Sequence, residues 1–313
     1  LTKHELFSKI TVFIYAISFI HFFQLYMLAT FIEIALFTFL TASFYFYINR
    51  KTVPSIIFFV LACMSKETAL LYPVFLALFS YLSNRRQHIA KKLTPFFLVS
   101  IIFAGIFKFG VSGVVNTVDS YRLQPDLRLG ANNLMWYSLW SIGFPNFLPD
   151  YLTSVFKPPI SEFWKVWENE SVRLYFYMLS IYIFSLLLSL AVFVKSYWKS
   201  IYRNLKSIFI ILAGYIIFVS PTLFILHKWM VRLTVPLIFV SIGLGFVLAH
   251  LIQKGGLSRF LATLTISIFF VFNNQAIKVH ESSSTFFFES SVSDNLKKIV
   301  DRDRDKISAS DYI

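Results

Sequence analysis

Apolar runs of about twenty residues recur along the whole chain, and each is long enough to cross a hydrocarbon layer of about 30 Å. With no water inside a bilayer to satisfy open backbone, segments that cross one this way fold as helices. Composition agrees: of 313 residues, 57% are hydrophobic and only 14% charged, where ordinary globular domains are about one quarter charged. The expectation is an all-α, polytopic integral membrane protein of about nine transmembrane helices. Candidate spans are 9–28, 31–48, 53–66, 68–83, 95–110, 173–194, 207–226, 233–252 and 259–274.

Charge is informative by its position rather than its sum. The net charge of +13 collects in alternate connections. One side holds Lys3 and Lys9, then Arg50 and Lys51, then Arg85, Arg86, Lys91 and Lys92. Lys195, Lys199, Arg203 and Lys206 follow on that side, then Lys254 and Arg259. Short loops rich in Lys and Arg stay in the cytoplasm, so the charge reads as topology and contact with membrane lipids, with no nucleic acid as partner. A multi-pass plasma-membrane location follows, with the N-terminus cytoplasmic and the C-terminal tail outside. Residues 1–110 form an N-terminal set of spans, 111–172 an outer-face loop, 173–274 a second set, and 275–313 an outer tail. Cys63 lies in an apolar run and gives no disulfide framework.

The topology has an internal test at Lys66-Glu67. One helix over 53–83 would invert every later connection and turn the basic loops outward. Two short spans, each about 20 Å long, keep them inside and sink the tip Ser65-Lys66-Glu67 below the outer surface. In the outer loop, 131–143 reads as a short amphipathic helix, interfacial or re-entrant, with Trp136, Tyr137 and Trp140 at the headgroup level. Trp164 and Trp167 mark a second such helix. Asn169-Glu-Ser171 matches a glycosylation acceptor, and Asp301–Asp305 alternates charge as a solvated stretch does.

Four polar features on the embedded or outer side are candidates for chemistry. Lys66-Glu67 is a self-neutralising helix tip or an anion site in which Lys66 holds a phosphate. Glu33 is a favourable carboxylate at a helix N-terminus or a catalytic group. Arg232, in the turn His227-Lys228-Trp229-Met230-Val231-Arg232, is an interfacial anchor or a phosphate clamp. His21 with Gln24 is a polar pair between helices or part of a site. No metal-ligand cluster, Gly-rich phosphate loop or nucleophile elbow is present, and no cofactor is evident.

Met64-Ser-Lys66-Glu67-Thr-Ala-Leu-Leu-Tyr-Pro73 resembles the Ser-Lys-Glu stretch of GT-C type membrane glycosyltransferases. That group includes the protein O-mannosyltransferase-like and aminoarabinose-transferase-like enzymes. Ile17-Ser-Phe-Ile-His21, Tyr26-Met-Leu-Ala-Thr-Phe-Ile-Glu33 and the span ending Asn49-Arg-Lys51 are similar to the two spans before it. Phe22 replaces the frequent Pro, and Glu33 stands where Asp is frequent. The likeness covers roughly residues 9–110 and, more weakly, 207–250. It implies a hexosyl- or pentosyltransferase that moves a sugar from a polyprenyl-phosphate donor to a protein, lipid or glycan acceptor on the outer face. Lys66 and Arg232 would bind the lipid phosphate, with Glu67, His21 and His227 supporting and Glu33 as candidate catalytic residue. The family's first span and first outer loop have no counterpart ahead of Leu1, so a truncated or inactive chain is also expected. Asp119, Asp126, Asp150, Glu162, Glu168 and Glu170 are further outer carboxylates that the sequence does not separate. A transporter or flippase of a lipid-linked anion and a non-catalytic membrane subunit remain alternative readings.

Overall fold

The computed structural model describes residues 3–27, 30–83, 89–111, 123–152 and 158–283. Arg85, Arg86, Asp119 and Asp301–Asp305 lie outside them. The helices are α1 (Lys3–Ile17), α2 (Phe22–Tyr26), α3 (Phe31–Ile48), α4 (Thr52–Ser65), α5 (Tyr72–Leu82) and α6 (Ile89–Ile106). They continue with α7 (Leu127–Ser141), α8 (Leu148–Tyr151), α9 (Glu162–Trp167), α10 (Glu170–Arg203), α11 (Leu205–Leu223), α12 (Pro236–Lys254) and α13 (Gly256–Ser283). Among the described residues there is no strand, only an isolated antiparallel bridge between Leu123 and Ile225.

The chain is all-α, and among the described residues six helices are long and apolar enough to cross a membrane: α3, α6, α10, α11, α12 and α13. Two shorter apolar helical segments, Thr52–Ser65 and Glu67–Leu82, correspond to the short spans expected at 53–66 and 68–83. The span expected at 9–28 is not a single rod. α1 ends at Ile17, Ser18 is extended, and a 3-10 turn over Phe19–His21 leads into α2. The break is held from far away in sequence, because Asn273 Oδ1 accepts the Phe19 amide at 2.8 Å.

The helix over 53–83 is broken at Lys66, where φ −161° and ψ 146° are extended. A 3-10 turn, Glu67–Leu71, follows, and Pro73 sits in the first turn of α5, where its missing N–H costs nothing. Ser43 and Ser55 exchange hydroxyl-to-carbonyl bonds of 2.7 and 2.8 Å and lock α3 to α4. α5 then returns to the end of α3 from which α4 departed: Tyr47 and Ser80 hydroxyls lie 2.5 Å apart, and Phe44 packs on Phe75 and Phe79.

Among the described residues, several ends next to Lys- and Arg-rich connections come together. Ser83, just after α5, and Ser207, at the start of α11, line one cavity there. Lys254 donates to Ser196 Oγ at 2.5 Å, joining the α12–α13 connection to the end of α10. α1 lies against α12, and Gly245 permits the closeness: a Cβ there would meet Thr11 Oγ1 at 2.2 Å.

Two parts of the reading change. α7 forms as expected, but Trp136, Tyr137 and Trp140 are no more than 1% exposed and belong to the core, not to a headgroup layer. Asn133 explains the placement: its Nδ2 donates to the carbonyls of Leu223 and Ile225 at 2.9 and 2.8 Å, satisfying groups that α11 leaves open at its end. α7 is thereby clamped over α11 and its aromatics turn inward. Among the expected interfacial aromatics, Trp164 on α9 is the one left 57% exposed. Second, the stretch expected as tail from 275 onward begins as helix: α13 continues to Ser283, and Asn273 and Gln275 find partners at Phe19 and Ser171.

Candidate functional site

Opposite the basic end, four turns meet: Phe19–His21 with α2, the start of α3, the Lys66 break, and Met230–Leu233. Thr30 fixes the entry to α3 by donating to the carbonyls of Phe23 (2.9 Å) and Met27 (2.7 Å). Glu33 then stands in the first turn of α3, 4% exposed. The Lys66 ammonium donates to the Glu33 carboxylate. This pair replaces the Lys66-Glu67 pairing that adjacency suggested. Lys66 is extended, so successive side chains point to opposite sides. Lys66 turns inward, its side chain 14% exposed, while Glu67 turns out to solvent.

Glu67 and Arg232 lie close enough that both charges act on Glu33. The structure thus gathers Glu33, Lys66, Glu67 and Arg232, from three distant stretches of chain. Arg232 sits in the 3-10 turn and donates from Nη1 to the His227 carbonyl at 2.8 Å; its Nη2 lies 3.5 Å from His227 Nδ1. Partial burial pushes the His227 pKa below its ordinary value, and the Arg232 charge adds to that.

His21 is not at the ion pair but beneath the Arg232 turn. Gln24 donates from Nε2 to Val231 O (3.3 Å) and to Thr234 Oγ1, which leaves Oε1 facing His21 Nδ1 at 2.6 Å. Nδ1–H is therefore the donor of that bond. His21 Nε2 lies 3.0 Å from the Tyr15 carbonyl, and the Tyr15 hydroxyl donates to Thr234 O at 2.9 Å. The three side chains bracket the turn that carries Arg232. Tyr15 also stacks on Phe37 at 4.6 Å and feels the Glu33 charge. Sequence reasoning missed Tyr15. It is one aromatic among many in an apolar run, and its partner is 219 residues away.

The outer-loop carboxylates now separate. Asp126 caps α7 by accepting from the Arg128 amide at 2.8 Å, and Glu162 accepts from Ser161. Glu168 and Glu170 are exposed. Asp150 lies near Lys228, in the stretch of chain leading to Arg232; burial pushes its pKa up, and the Lys228 charge opposes that.

Below the charged group runs an apolar groove of about 390 Å³ between α3, α5, α11 and α12. Phe37, one turn after Glu33, and Val235, three residues after Arg232, line its upper part. Leu40, Phe44, Phe75, Phe218 and Phe239 continue it, and Ser83 and Ser207 lie at the basic end. From Ser207 to Phe218, α11 alone covers about 16 Å of it at 1.5 Å per residue, over half of a hydrocarbon core of about 30 Å. Among the described residues no group of three or more His, Cys, Asp or Glu side chains is arranged to hold a metal ion.

Set against protein-family models, curated proteins and solved structures, the chain finds no match.

Proposed function

We propose that the protein is a glycosyltransferase that takes a sugar from a polyprenyl-phosphate donor and passes it to an acceptor at the outer face of a plasma membrane. One observation carries the reading: the Glu33–Lys66 pair and Arg232 lie one turn of chain from Phe37 and Val235, which line a groove that is apolar along its length. That arrangement fits a ligand with a phosphate at one end and a long hydrocarbon at the other. A groove alone would suit any lipid tail, and a buried cation alone would suit any anion. Lys66 supplies a compact charge, and Arg232 a planar fork suited to phosphate oxygens.

The chemistry asks for such groups. As the glycosidic bond breaks, negative charge grows on the departing phosphate, and positioned cations in a site of low dielectric stabilise it. Glu33 is the carboxylate at hand for the acceptor side. His227 and the His21–Gln24–Tyr15 bracket set the orientation of Arg232, and Glu67 faces solvent at the mouth of the site.

The test is binding of a polyprenyl phosphate to the purified full chain, wild type beside Lys66→Ala and Arg232→Ala. Loss of a charge-assisted contact of about 1.5–3 kcal/mol weakens binding roughly ten- to a hundredfold. Equal binding by all three chains, or none by any, overturns the proposal.

A further inference from the structure

The Lys66 ammonium already has an anion. Glu33 accepts its proton-bearing bond, and the pair is screened from water, with side chains 14% and 5% exposed. Leaving either partner alone in such a place is costly, commonly by several kcal/mol, because a desolvated charge then has no counterpart. Lys66 therefore binds nothing new unless the newcomer brings its own negative charge. Glu67 is not a competing partner: it faces solvent and acts on Glu33 only through space.

Charge bookkeeping at the cluster sharpens this. Lys66 and Arg232 bring two positive charges, and Glu33 and Glu67 two negative ones. The cluster is neutral before any ligand arrives. A phosphate that takes over Lys66 adds at least one negative charge next to the Glu33 carboxylate. Like charge at that distance disfavours a bare carboxylate and makes it a stronger proton acceptor.

Resting on the proposed transferase function, we infer that Glu33 is the resident anion of the phosphate site: it holds Lys66 until the phosphate of a lipid-linked donor exchanges for it, and is thereby released to accept the acceptor's proton. The step balances. The acceptor hydroxyl oxygen forms the new bond to the anomeric carbon. The bond from that carbon to the phosphate oxygen breaks, its electron pair staying on the phosphate beside Lys66 and Arg232. The hydroxyl proton passes to Glu33. Donor binding and base activation are then one event, so donor precedes acceptor, and a chain without donor has its base tied up in an ion pair.

The experiment is titration of the full chain in lipid nanodiscs with a polyprenyl monophosphate, comparing wild type, Glu33→Gln, Lys66→Ala and the double variant. Glu33→Gln removes the competitor, so its affinity rises, on the order of tenfold for a difference of about 1.4 kcal/mol. In the double variant the gain vanishes and affinity falls to that of Lys66→Ala, since the gain passes through Lys66. Glu33→Asp keeps the charge on a shorter arm and serves as the variant whose folding is least disturbed; its affinity falls between wild type and Glu33→Gln. If wild type binds while Glu33→Gln and Glu33→Asp bind no more tightly, the resident-anion role is wrong and the lipid-phosphate site stands. If none of the five chains binds, the transferase reading falls and takes this role with it.

Discussion

The two hydrophobic cores of this protein are built differently. One gathers α3 to α6 with the facing sides of α11 and α12; the other gathers α1, α7, α10 and α13 with the remainder of α12. The second is filled at its centre by aromatic contact: Tyr182 stacks on Phe272 with rings 6° from parallel, and Tyr175 and Phe269 complete the group. Its polar side chains are spent on joining helices, as where Ser189 and Thr265 hydroxyls meet at 2.9 Å. The first core uses helices too short to cross alone, breaks at Lys66, and leaves a groove unfilled. Protein interiors normally pack without such gaps. Under the proposed function, the region with the ion pair and the open apolar groove receives the lipid-linked donor, and the packed core beside it holds those parts in register.

Three changes test that division, in order of size. Phe272→Ala deletes a fully buried ring of the packed core and is expected to lower stability by about 3–5 kcal/mol. Thermal unfolding of the purified chain reads this, and polyprenyl phosphate affinity per folded molecule should stay within about twofold of wild type. A large loss of affinity in still-folded protein would mean the packed core is part of the site. Thr41→Trp, at an exposed position on the groove wall, should do the reverse. Unfolding temperature changes little, while affinity drops about tenfold for a long-chain phosphate and not for a short-chain one, a loss of about 1.4 kcal/mol. Equal loss for both chain lengths would place the tail elsewhere.

The smallest effect concerns pH. His227 has a pKa below its ordinary value of about 6.5, from burial and then from Arg232. The unfolded chain thus binds a proton more readily than the folded turn, so stability is full above about pH 6.5 and is lost as pH falls through the folded value. Protonation also removes the Nδ1 lone pair that faces Arg232. Hydrogen-exchange protection of residues 224–236, taken relative to the intrinsic exchange rate at each pH, should fall on acidification, and His227→Gln should flatten that dependence. An unchanged profile in the variant would separate His227 from the turn's stability.

The residues themselves foretell some of this. Runs of apolar residues at membrane length set the helices, since backbone in a hydrocarbon layer is satisfied only within them. The placement of Lys and Arg leads to an expected break at Lys66 and a return of α5, and both are present. Lys66, Glu33 and Arg232 stand out singly, because a charge among apolar residues is expensive enough to be conspicuous.

What joins them is not legible along the chain. Lys66 pairs with Glu33, 33 residues away, and not with adjacent Glu67, because the extended backbone at Lys66 aims neighbouring side chains apart. Arg232 reaches the same cluster only through the packing of α12 against α1 and the bracket of Tyr15, His21 and Gln24. Trp136, Tyr137 and Trp140 have the composition of a membrane-interface helix, yet they are core, because Asn133 ties α7 to the open carbonyls of α11. Local pattern decides which segments are helical and apolar. Which faces they bury, which charges meet and where a groove stays open depend on contacts between residues far apart in sequence, and those exist only once the helices pack.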